Sequence, residues 1–264
     1  MKLLVFPVLL SLSVAAAFGS DQFATQWVSY NQGIGPVPTF TNPLAAVGEP
    51  TRYTGVGVFP SAVTPFNPPF LNSEVVSIGQ GGSLTLGFDH PVVNDPLNPF
   101  GIDLLIFGNA FYADSSHPEG IAAGVISAGG GVVEVSADGD TWKLVTGAVA
   151  DGQFPTLGYS DLTDPYALDP GSVLSDFTRP VNPAFNAIGK NFAQIVAGYN
   201  GSGGGSGIDF APTGLNSILF VRITNPAGSG VTVEVDAVSD VVPAPGTTLI
   251  LACVAGALGH RRRR

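Results

Sequence analysis

The chain has 264 residues, with 20 acidic against 10 basic groups and a single cysteine. Five cations, Lys2 and Arg261 to Arg264, sit at the ends, so the body holds five cations against twenty acids, a balance of −15. That field argues against nucleic acid or anionic membrane as partners and favours solubility or cation binding. Cys253 lies in the C-terminal segment, which leaves the body without disulfide or thiol chemistry.

Lys2, the apolar run 3–16 and the small residues Ala15 to Gly19 read as a secretory signal peptide over 1–19. Residues 21–70 are rich in proline, and 52–59 (RYTGVGVF) is the one strand expected there. Segments 74–78 and 82–88 read as strands, and 101–111 (GIDLLIFGNAF) as a central strand covered on both faces. Residues 122–130 read as a small-residue loop.

Residues 131–145 (GVVEVSADGDTWKLV) form the clearest motif, two strands around Asp138-Gly139, a dipeptide suited to a tight hairpin turn. A two-residue loop sets Val135 opposite Trp142, Glu134 opposite Lys143 and Val133 opposite Leu144. Alternation then places Val133, Val135, Trp142 and Leu144 on one buried face.

Residues 150–216 read as a long irregular insertion, the kind of segment that often carries function. Its glycine loop 200–207 lacks the Lys-Ser/Thr of a phosphate loop. Strands over 217–224 and 231–238 close the domain, so 20–242 is expected to be one β-sandwich domain.

In the tail, Pro243, Ala244 and Pro245 precede an apolar stretch and the block Arg261, Arg262, Arg263 and Arg264. Fourteen helical residues span about 21 Å, short of the hydrocarbon core of roughly 30 Å. The arrangement over 243–264 resembles the PEP-CTERM sorting signal, with Ala244 where the family has Glu. The resemblance implies processing by an exosortase, membrane contact only transiently through the terminal segments, and a final place on the cell surface or in the extracellular matrix of a Gram-negative-type bacterium.

The strands GSLTLGF, IDLLIFGNAF, VEVSADGDTW, FVRIT and VEVDAV, in that order, are similar to galactose-binding-like jelly rolls of the discoidin type. That resemblance implies an antiparallel all-β sandwich acting as a binding module, often for glycans such as an exopolysaccharide or cell-surface glycan, and often with structural calcium.

The residues themselves offer little for catalysis. No Gly-x-Ser-x-Gly elbow occurs, and His90 and His117, beside prolines, read as solvated loop histidines. Paired carboxylates leave open a carbohydrate-active enzyme, a glycoside hydrolase or lyase. Calcium is the better use for the acids, since it takes six to eight oxygen ligands. One candidate set is Asp103, Asn109, Glu119, Asp209 and Asp236 at strand ends; the alternative is Asp161, Asp164 and Asp169, and solvated carboxylates remain the third reading. Tyr159 and Tyr166 are candidates for stacking on sugars, against anchoring the insertion. Arg222 is expected to pair with Glu234 and Asp236 across the last turn, with ligand binding as its other role.

Overall fold

The computed structural model describes residues 22–242. The signal peptide and the sorting motif, Pro243 to Pro245 with Arg261 to Arg264, lie outside the described residues. Within them the chain is all-β, with 14 strands in antiparallel sheets and one short α-helix. No described helix is long and apolar enough to cross a membrane.

The largest sheet runs in the order Gln26–Asn31, Ser83–Val93, Ser217–Thr224, Val132–Ser136, Lys143–Leu144. A second sheet places Leu104–Phe107 between Ser206–Ile208 and Ala237–Asp240, while Val76–Ile78 pairs with Val233–Val235. One apolar cluster draws Leu84, Leu86, Val133, Val135, Val221 and Ile223 from the first sheet and Leu104, Ile106, Ile208 and Val238 from the second. Leu105 and Phe107 point the other way, onto Phe177 and Val241. The Leu104–Phe107 strand is therefore covered on both faces, as its unbroken apolar run predicts.

Several elements differ from the sequence reading. The hairpin register is shifted by one: Lys143 faces Val135 and Leu144 faces Glu134. The Asp138 carboxylate accepts from the amides of Asp140 (2.9 Å) and Thr141 (2.7 Å), while the Ser136 hydroxyl accepts from Gly139 N (2.9 Å). These bonds build a longer side-chain-capped loop in place of the two-residue turn. A one-residue slip exchanges faces. Val133 and Val135 stay in the core, Leu144 is exposed, and Val145 is buried instead. Trp142 is half-buried on the outer face, its Nε1 donating to Gly139 O at 3.1 Å.

The strand expected over 231–238 changes sheets at Asp236. Val233–Val235 pairs with Val76–Ile78, and Ala237–Asp240 pairs with Leu104–Phe107. Asp236 itself is held at the crossing, its amide on Phe107 O (2.8 Å) and its carboxylate on Thr51. Arg222 accordingly pairs not with Glu234 or Asp236 but with Glu134, directly opposite on the neighbouring strand, at 2.8 Å.

The 150–216 insertion contains structure that its irregular sequence conceals. Phe192–Tyr199 is an α-helix with a complete capping box between Asn191 and Gln194 and a left-handed Asn200 at its end. With Phe66, Tyr112, Phe154, Leu157 and Val181 it builds a second apolar cluster. Residues 122–126, expected as loop, pair as a strand with Phe111–Asp114, and Gln26–Asn31 was missed among the prolines.

Candidate functional site

The predicted calcium ligands do not gather. Asp103 is buried and accepts from Asn98 Nδ2 (3.1 Å) and Phe210 N (3.2 Å). Asp236 is buried with one oxygen on Thr51 N and the other on its hydroxyl, both at 2.9 Å, and burial pushes its carboxyl up to about 7. Glu119 and Asp209 are exposed. In the alternative set Asp161, Asp164 and Asp169 are all exposed; Asp161 caps Ser172 N and Asp164 caps Tyr166 N, each at 2.8 Å. Among the described residues no three His, Cys, Asp or Glu side chains converge on a metal position.

Asn109 is the exception, because it lines a polar cleft with Gln80, Gly129, Thr232 and Glu234. Behind Gly129 lies Asp151, only 3% exposed. The chain brings it there through a bridge to Gly130 (Asp151 N to Gly130 O, 2.9 Å), and Asp151 Oδ2 accepts from Gly129 N at 3.2 Å. Burial, and then repulsion from Glu234, pushes the Asp151 carboxyl up to about 7. Burial also raises Glu234, whose Oε1 accepts from Ser77 Oγ at 3.3 Å. The amides of Ala110 and Glu234 approach Asp151, yet its Oδ1 closes no hydrogen bond of standard geometry. Neither Asp151 nor Glu234 stands out in the sequence; only the adjacent run Gly129-Gly130-Gly131, which lets backbone crowd the carboxylate, hinted at it.

A second cleft, of about 500 Å³, is lined by Phe100, Asp176, Thr178, Arg179, Asn182 and Asn200. Phe100 is 56% exposed and holds a left-handed φ of 62°, uncommon for a bulky residue. Arg179 makes no ion pair or side-chain hydrogen bond among the described residues, unlike Arg52 and Arg222. An open ring face, an unspent guanidinium and two carboxamides supply stacking and planar polar recognition together.

Of the predicted ligand residues, Tyr166 lines a third cleft with Tyr53, Val58, Phe59 and Leu168. Its hydroxyl donates to Asp114 at 3.1 Å, and burial, then that bond, pushes it up to about 12. Tyr159 is bridged through its backbone to Leu174 and lines none of these clefts. Arg222 is committed to Glu134 and lies over the Trp142 ring at 4.2 Å.

His90 is not a solvated loop residue. Pro91 falls where the ladder between Ser83–Val93 and Ser217–Thr224 slips its register, and the bulge turns His90 toward the other sheet. There Nδ1 meets Asp89 (2.8 Å) and Nε2 meets Asp240 (3.1 Å). A carboxylate at each nitrogen requires a proton on each. Burial alone lowers the imidazole, but the two carboxylates outweigh it and raise it.

No protein-family profile matches the chain, and no curated protein matches it in sequence.

Proposed function

We propose that this chain is an exported, surface-held, non-catalytic module that binds glycan at the Phe100–Arg179 cleft. The observation that carries the reading is the pairing there of an exposed aromatic face with an uncommitted arginine in a chain so poor in cations. Sugars present apolar ring faces and fans of hydroxyls, and Phe100 with Arg179, Asn182 and Asn200 answers both. The jelly-roll arrangement belongs to the same proposal; it is supported by one apolar cluster fed from two antiparallel sheets. Export, exosortase processing of the tail, and residence on the cell surface or in the matrix rest on the terminal segments of the sequence.

The rival reading, a carbohydrate-active enzyme, has one observation in its favour: Asp151 and Glu234 are two carboxyls that burial holds above their ordinary range. Asp151 is closed off behind Gly129, however, and a glycosidic oxygen needs direct contact with its acid. A glycan array probed with the exported protein tests the proposal. Selective retention on extracellular polysaccharide fragments, without their cleavage, is the expected result. Cleavage lost in Glu234→Gln establishes the enzyme, and an array without signal removes the glycan reading.

A further inference from the structure

Gln26–Asn31 is the outermost strand of the five-stranded sheet, bonded on one side to Ser83–Val93. Among the described residues its main chain forms no other hydrogen bond, so its outer row of amides and carbonyls is left to solvent. Five of its six residues are exposed, Trp27 by 46% and Val28 by 49%. Leu44, in the short helix Pro43–Ala46 packed beside the strand, is 60% exposed. Open edges are ordinarily blunted with lysine, proline or an inward-pointing charge. This strand has none of the three.

Its one irregularity, a bulge between Trp27 and Ser29, sorts the side chains. Trp27 lies opposite Leu86 and Tyr30 opposite Leu84, both fully buried, so the two aromatic residues share the core side of the sheet. Gln26, lying across Gly87, shares the outer side with Ser29 and Asn31. In residue type the strand reads alike in both directions: carboxamide, aromatic, short, short, aromatic, carboxamide. A two-fold axis at this edge therefore sets Gln26 against Asn31 and Trp27 against Tyr30 of another copy, like with like and on the same face. Tyr30 is already fixed by its hydroxyl, which donates to Ser77 O at 2.6 Å.

Charge points to the same occupant. Two copies of a body with a balance of −15 repel wherever their acids face each other. Residues 22–48 contain no Asp, Glu, Lys, Arg or His, and neither do Ser83 to Gly87 across the ladder. We infer that Gln26–Asn31 is a dimer seam, where a second copy adds its own Gln26–Asn31 antiparallel and joins the two five-stranded sheets into one. A second charge-free segment, 53–73, exposes Val58 and Phe59, but its two-residue strands Tyr53–Thr54 and Ser61–Ala62 are already paired with each other. It offers apolar side chains without an open edge of comparable length.

The inference stands independently of the glycan reading and is tested without any sugar. The mass of the exported protein is followed by analytical ultracentrifugation over a concentration series at low and high salt. A mass rising to twice that of the chain is expected, at lower concentration in high salt, because screening removes the repulsion between acidic copies. Amide exchange across 26–31 should slow as the dimer fills. Val28→Lys, which gives the strand the charge that blunts natural edges, should stay monomeric throughout the series. Trp27→Ser gives the same readout should Val28→Lys fold poorly, while Leu144→Lys on the opposite edge of the sheet and Phe59→Ser should dimerise like the wild type. A wild type that stays monomeric up to millimolar concentration, exchange in 26–31 unchanged by dimerisation, a dimer that survives both strand variants, or one lost in Leu144→Lys or Phe59→Ser overturns the inference.

Discussion

Acid should stabilise this fold, in contrast to proteins whose carboxylates are paired with cations. Burial pushes Asp151 and Asp236 up to about 7 and Asp240 up to about 6. In the unfolded chain these groups titrate near 3.9. Between those values the folded state binds protons that the unfolded state has released, so stability increases as pH falls. At about 1.4 kcal/mol per unit, Asp151 gains roughly 2 kcal/mol between pH 7 and pH 5, and Asp236 a similar amount. Asp240 adds less because it is only partly buried and shares charge with His90. His90 acts in the same direction: its raised imidazole stabilises fully below its ordinary value near 6.5 and loses that contribution as pH rises through the folded value. Asp138, held down at about 2 by the amides of Thr141 and Asp140, opposes this only once pH falls below its ordinary range. Urea unfolding in chelator at pH 5, 6, 7 and 8 measures the sum. The midpoint is expected to fall steadily from pH 5 to pH 8, by the equivalent of more than about 4 kcal/mol, and Asp236→Asn should flatten the slope. A midpoint that is constant or rises over that range refutes the burial argument.

Trp142→Ala should cost about 1–2 kcal/mol by urea unfolding, the loss of its stacking under Arg222 and its bond to Gly139; a loss of 3–5 kcal/mol would instead match a core residue and contradict the shifted register. Phe107→Ala, between the cores, should cost that larger amount by the same measurement. Gly129→Ala should destabilise strongly in thermal melts, since the backbone of Thr232 and Val233 occupies the space a Cβ needs; an unchanged melting point would contradict that close approach. Intact mass of surface material should end before Arg261; a mass reading through to Arg264 removes the sorting reading.

The strands with unbroken apolar runs were legible in the sequence. Leu104–Phe107 has no polar position that would demand solvent, and Ser217–Thr224 carries the apolar run Ile218 to Val221, so apolar content locates both even though the irregularity between Ile218 and Phe220 breaks strict alternation. The hairpin register was not legible, because it depends on whether Asp138 caps amides or simply turns the chain, and that choice is settled by three local hydrogen bonds. The break at Asp236 was hidden for a different reason. VTVEVDAV keeps its alternation while moving between sheets, and only the distant Thr51 marks the crossing. The helix had a readable signal, Asn191 three residues before Gln194 and Asn200 at its end, masked by the surrounding prolines and glycines. The site was the least visible. Of the calcium residues expected from sequence only Asn109 reaches the polar cleft that Glu234 lines, and Asp151 comes to lie behind it through a bridge to Gly130 that no spacing encodes. Arg179 and Phe100 lie almost eighty positions apart and meet only through the folded insertion.

The glycan-binding claim is tested most directly by calorimetric titration of an oligosaccharide retained on the array against four proteins: wild type, Phe100→Ala, Arg179→Ala and Leu168→Ser, the last in the Tyr166 cleft. Loss of binding in the Phe100 and Arg179 variants, with the Leu168 variant unchanged and all four melting alike, is the predicted result. Binding that survives both cleft changes, or that disappears only in Leu168→Ser, contradicts the account.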